Sequence, residues 1–126
     1  MKEKGKATAG YDKNKIIRQV FRLPIDERDN VSIKINGASY DVINIGTNGV
    51  GLLIDSDVPF SVDQPLPSIE LHLDKDLLKL KGRVVHVSPR EFQLICGIEF
   101  ITPSKKDAEK IMQFLRRHRE SLFGEI

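Results

Sequence analysis

The chain has 126 residues, 40% of them hydrophobic and 30% charged, so one globular domain with its own core is expected without help from disulfides or metal. Twenty Lys and Arg face eighteen Asp and Glu, and a net charge of +2 excludes a bulk polyanion binder. A single cysteine, Cys96, cannot form an internal bridge, which fits a reducing compartment.

The charge is unevenly spread. Residues 1–22 hold seven bases and two acids, and residues 23–103 hold seven bases and twelve acids, so a +5 arm leads a −5 body. The Lys-rich start of the arm reads as a solvated tail, or, more sharply, the end of the arm carries the cationic half of an anion site. The opening MKEKGKATAG is polar and shows no leader pattern. The longest apolar run, Val50–Ile54, is far short of the ~20 residues that span a membrane. A cytoplasmic protein without membrane insertion is expected.

Val31, Ile33 and Ile35 alternate with Ser32 and Lys34, the period of a half-buried strand. Asn36-Gly37 then separates this run from a second, residues 38–43, and an Asn-Gly pair between two such runs predicts a hairpin. Residues 49–54 read as a third strand, ended by Asp55-Ser56-Asp57 and Pro59. Ile69, Leu71 and Leu73 alternate in a fourth, and Leu78, Leu80 and Val84 place a fifth within 77–88, with Gly82 as a bend or bulge. Phe92, Leu94, Cys96, Ile98 and Phe100 give the sixth, after a turn at Ser88-Pro89-Arg90-Glu91. Six short strands without interleaved helices predict an antiparallel barrel or sandwich.

From about residue 103 the period becomes helical, with Ala108, Ile111, Met112, Leu115 and Leu122 on one face. Thr102-Pro103, or Ser104 with Asp107, supplies the N-terminal cap, and Arg116 to Arg119 complement the dipole in the last turns. This stripe is expected to pack on the barrel.

Catalytic constellations are thin. His72, His86 and His118 fall in different elements, without metal-ligand spacing among themselves or to Cys96. Cys96 has the apolar parity of its strand and reads as a core residue, while Asp55 and Asp57 belong to a turn. No phosphate loop, dinucleotide fingerprint or nucleophile elbow is present, which argues against an enzyme.

Two segments carry more. Arg18 and Arg22 stand four apart just before the first strand, and guanidinium grips phosphate or the N7/O6 edge of guanine bidentately. Asn44-Ile45-Gly46-Thr47-Asn48-Gly49 joins two strands, with an amide at the strand end, small residues that admit a ligand to the backbone, and an expected positive φ at Gly49.

This pairing resembles the PilZ domain, a bacterial receptor module for cyclic di-GMP. Arg18 and Arg22 fit the family's RxxxR motif, and Asn44 and Gly49 fit the ends of its [D/N]xSxxG motif. Arg22-Leu23-Pro24-Ile25, Gly82-Arg83-Val84-Val85 and Gly97-Ile98-Glu99-Phe100 are similar to further family segments, so the resemblance covers about residues 17–118. It implies a mainly β fold: a six-stranded antiparallel PilZ-type barrel with one C-terminal helix, residues 16–122, preceded by a flexible basic arm, residues 1–15.

The resemblance also implies the chemistry. Arg18 and Arg22 would hold guanine edges and phosphates, Asn44 would hydrogen-bond a guanine, and Gly46 and Gly49 would let the ligand lie against the barrel. Binding would fold residues 12–22 over the barrel and offer a changed surface to an unidentified protein effector, with no cofactor, metal, DNA or RNA. Gly46 stands where the family has Ser, and a lost neutral hydrogen bond is worth about 0.5–1.5 kcal/mol. Ile17 in place of a further arginine points to one ligand per chain. A PilZ-like interaction module that no longer binds the dinucleotide is the alternative. A barrel for single-stranded nucleic acid fits less well, because the chain has no Trp and two Tyr on which bases could stack.

Overall fold

The computed structural model of the chain describes residues 23–26, 28–57 and 60–123, with side chains as far as His118. Arg18, Arg22 and the basic arm lie outside the described residues. β1 (Leu23–Pro24) is followed by β2 (Val31–Ile35) and β3 (Ala38–Ile45). Asn36 and Gly37 join β2 to β3 with φ of 53° and 87°, the turn whose twist suits a hairpin. β4 (Gly49–Asp55), β5 (Pro65–Leu73), β6 (Asp76–Arg90) and β7 (Gln93–Phe100) complete the sheet.

Every pairing is antiparallel. β3 pairs β2, β2 pairs β5, and the ladder continues through β6, β7 and β4 before β4 returns to β3. Six strands therefore close on themselves as the expected barrel. The alternation read from the sequence points inward: Ile33, Ile35, Val50, Leu52, Ile54, Leu71, Leu73, Leu78, Cys96 and Ile98 are all buried in one core.

β1 was not expected. Leu23 pairs with Ile45 and Pro24 with Asn44, and the Ile25 amide donates to the Ile43 carbonyl at 3.0 Å. Proline fits here because β1 stands beside β3 alone, where one missing donor breaks no second ladder. Leu23 is itself buried in the core.

The C-terminal helix, α1 (Lys105–Phe123), starts at the cap expected: Ser104 Oγ accepts from the Asp107 amide at 3.1 Å. Ile111, Phe114 and Leu115 bury into the barrel core, whereas Met112 is exposed. The stripe therefore runs through Phe114 rather than Met112. The helix continues past Arg116 to Arg119 and its last turn holds no base, so these residues do not serve the dipole as expected. Arg117 instead bonds Asp74 at 2.8 Å, and His118 sits 3.4 Å from Asp74 and 3.7 Å from Asp29. Partial burial by itself raises the Asp74 carboxyl. The hydrogen bonds and charges of Arg117 and His118 outweigh it and hold that carboxyl below its ordinary range.

Three further expectations need correction. β6 runs through Pro89 to Arg90, leaving Glu91-Phe92 as the turn, with φ of 55° at Glu91. Phe92 is thus at a hairpin tip, 95% exposed, and not in the core. Gly82 lies in regular register on β6, and the irregularity beside it is on β5, between Leu66 and Ile69. A Cβ at Gly82 would stand 2.6 Å from the Glu99 carbonyl oxygen, so close packing is what requires glycine there.

Candidate functional site

The segment 44–49 is the end of β3, a short turn and the start of β4. The Gly46 amide donates to the Gly49 carbonyl at 2.9 Å, closing the turn, and Asn48 accepts from the Phe100 amide at 2.7 Å, tying it to the end of β7. Asn44 is half-buried at the end of β3, and Gly46 and Gly49 are buried in and after the turn. The Thr47 hydroxyl is fully buried without a hydrogen-bond partner, turned into the protein.

The reason for glycine at 49 differs from the expected one. Among the described glycines only Gly37 has positive φ. A Cβ at Gly49 would instead run into the Ile98 carbonyl oxygen on the neighbouring strand, so glycine permits β4 and β7 to approach here.

On β4 the core residues are Val50, Leu52 and Ile54, which leaves Gly49 and Gly51 on the outer face. Gly51 pairs with Asn44 on one side and with Gly97 on the other, and Gly97 pairs with His86 of β6. Four residues thus form one row across four strands: Asn44, Gly51, Gly97, His86. Both outer members lean inward over the glycines. The Asn44 carboxamide lies 2.7 to 3.0 Å from where a Gly51 Cβ would be, and the His86 imidazole occupies the equivalent place at Gly97.

The sequence reading missed Gly51, Gly97 and His86 as parts of this face. The available signal was Gly49-Val50-Gly51, two glycines on the outer parity of one strand, with a third glycine in the strand paired to it. Beside Gly49, Glu99 pairs in register and holds Arg83 at 3.2 Å, which also reaches Asp63 at 3.4 Å. Arg18 and Arg22 lie outside the described residues. Leu23, next in the chain after Arg22, pairs with Ile45, and Pro24 pairs with Asn44.

Nothing in this face arranges a nucleophile with a base. Burial pushes the Cys96 thiol up to about 11, away from reactive thiolate character. Among the described residues no three His, Cys, Asp or Glu side chains stand close enough to hold a metal ion, and no helix is long and apolar enough to cross a membrane. The outer row presents an amide, backbone and an imidazole, which suits a planar polar ligand held by hydrogen bonds and contact.

Comparison with known proteins defines the class. The sequence model of the PilZ domain matches residues 16–117. The chain belongs to the PilZ domain family. No curated protein matches it. Among solved structures, the K. pneumonia MrkH–c-di-GMP complex is similar with a TM-score of 0.71 and 16% identity, over 83% of this chain and 53% of that one. The PilZ domain of YcgR from Escherichia coli with c-di-GMP gives a TM-score of 0.66 at 11% identity, over 84% of this chain and 96% of that one. The Bacillus subtilis inhibitor of motility, MotI/DgrA, gives 0.66 at 14% identity, over 79% and 50%. The chain spans about half the length of MrkH and MotI/DgrA, and nearly all of the YcgR domain. At such identities the likeness is one of fold.

Proposed function

We propose that this protein is a cyclic di-GMP receptor that binds through Arg18 and Arg22 together with Asn44, Gly46 and Gly49. The ligand is a compact dianion with two guanines. Arg18 and Arg22 supply charge and planar forks for phosphate and guanine, Asn44 bonds a guanine edge, and the glycine-lined outer face lets the ligand lie against backbone. Residues 16–122 form the receptor unit, with residues 1–15 as a basic arm before it. The ligand draws residues 12–22 against the barrel and so presents a new surface to a protein effector, with no bond made or broken. One ligand per chain is expected, since Ile17 adds no further arginine.

The observation that carries this reading is the pairing of Leu23, the residue after Arg22, with Ile45 of the asparagine–glycine segment, in a chain of the PilZ family. MrkH and YcgR, solved with c-di-GMP, add support through their shared fold. Calorimetric titration with the dinucleotide tests it. Wild-type protein is expected to bind with one ligand per chain, and Arg22→Ala to bind at least tenfold more weakly, since a charged hydrogen bond contributes about 1.5–3 kcal/mol. Absence of heat with wild type at near-millimolar ligand overturns the proposal. Gly46, which offers no hydroxyl, favours the second reading in that case: an interaction module whose partner binds regardless of dinucleotide, as a pull-down with and without ligand would reveal.

A further inference from the structure

Each guanine of cyclic di-GMP has two polar edges, and the residues assigned to the ligand answer mainly one of them. The N7/O6 edge only accepts hydrogen bonds and arginine only donates, so Arg18 and Arg22 suit that edge and the phosphates. The opposite edge carries the N1–H and the N2 amino group, two donors side by side. A carboxylate accepts from both at once, whereas the Asn44 amide offers one accepting oxygen.

The outer face holds a carboxylate next to the row already described. Two residues along each strand from Gly51 and Gly97, Gly49 pairs with Glu99, and Glu99 pairs with Arg83. Ile98 and Phe100 are buried, so Glu99 stands on the outer face, with its side chain 47% exposed. Its flank towards β4 is open, because its neighbour there, Gly49, has no side chain. On the other flank Arg83 Nε donates to Glu99 Oε1 at 3.2 Å, and Arg83 reaches on to Asp63 at 3.4 Å. Arg83 thus holds the carboxylate in place and offsets part of its charge beside a dianion. A carboxylate has about four accepting positions, so this bond leaves capacity for the edge of a base. Two strand spacings and two residues separate Asn44 from Glu99, about 12 Å between backbones. That span exceeds a single base and suits a ligand that carries two.

We propose that Glu99 determines base specificity: its carboxylate accepts from the N1–H and N2 amino group of the guanine that Asn44 does not hold. Arg83 is its positioning residue. The inference rests on the receptor reading, adds a residue outside the motifs that define it, and commits the site to guanine. Adenine has an accepting N1 and no N2 amino group on this edge, so it sets lone pairs against the carboxylate. A site built to hydrogen-bond one base rejects the base that leaves its polar groups unpaired.

Calorimetric titration of wild-type protein with cyclic di-GMP comes first, and absence of binding there overturns the receptor reading and this inference together. With that binding established, cyclic di-AMP and cyclic di-IMP, which lacks the N2 amino groups, are the probes. Wild type is expected to prefer cyclic di-GMP to both. Glu99→Gln is expected to bind cyclic di-GMP at least tenfold more weakly, the scale of one charged hydrogen bond. It is expected to bind cyclic di-AMP no more weakly than wild type does, and its preference over cyclic di-IMP is expected to narrow. An equal loss for all three ligands assigns Glu99 to its bond with Arg83 alone and overturns the inference. Unchanged affinity for cyclic di-GMP overturns it as well, and the receptor reading survives both results. A second measurement needs no variant: in the wild-type complex a guanine N1 proton is expected to be protected from solvent exchange and to show a nuclear Overhauser contact to the Glu99 side chain. Absence of that contact at saturating ligand also overturns the inference.

Discussion

Gly49 and Gly51 stand two residues apart on the same outer face, yet a methyl group at each would have different consequences. At Gly49 it would meet the Ile98 carbonyl, part of the β7 backbone, which cannot yield without parting two strands. Gly49→Ala is therefore expected to cost on the order of 1–3 kcal/mol in urea unfolding. At Gly51 the obstacle is the end of the Asn44 side chain, which can rotate away. Gly51→Ala is expected to unfold within about 0.5 kcal/mol of wild type but to lose as much affinity for cyclic di-GMP as Asn44→Ala, measured by titration. Cys96 offers a simpler check. It is fully buried with its thiol pushed up to about 11, so a thiol reagent at neutral pH should label it only when the protein is unfolded.

The elements show where period and propensity were enough and where they were not. The hairpin at Asn36-Gly37, the Ser104 cap and the inward parity of five strands follow from local chemistry, and the sequence carries them plainly. The extent of β6 does not, because Pro89 sits at the open tip of a long hairpin, where a missing donor is tolerated. Phe92 likewise keeps the parity of β7 but falls on the two-residue turn, and parity has no meaning there. β1 was invisible because two residues have no period. The helix contact was misread for another reason. Arg117 and His118 answer to Asp74, a turn residue 43 positions from Arg117, and such a partner leaves no local trace.

That contact makes a prediction about acid. A carboxyl held below its ordinary range stabilises the fold above the unfolded-state pKa, and the contribution fades as pH falls through the lower, folded value. Asp74→Asn keeps a residue tolerant of the left-handed backbone at this turn (φ 56°) but removes the charge. It is expected to cost about 0.5–1 kcal/mol at pH 7, the scale of a partly exposed pair. The difference from wild type should shrink to near zero once the pH lies well below the ordinary carboxylate range. Urea unfolding of both proteins at a series of pH values measures it.

At the scale of the whole molecule, the net charge of +2 hides a basic start and an acidic body, and the candidate site lies where the two meet in sequence. The barrel and the helix were legible in full outline, because core parity is a repeated signal. Of the site, the Asn44–Gly49 segment was legible as a motif. The Gly51–Gly97 bed and His86 were not, because they become neighbours only through the β4–β7 and β6–β7 ladders.

The closing of β3 onto β4 has one more consequence. Each of the six barrel strands finds its hydrogen-bonding partners on both sides within the ring, so among the described residues the two-residue β1 is the one strand that leaves an edge open to a foreign peptide. A protein that binds the closed ring must read side chains and shape instead of adding a strand to it. The same closure withholds most of the template on which like chains would stack edge to edge.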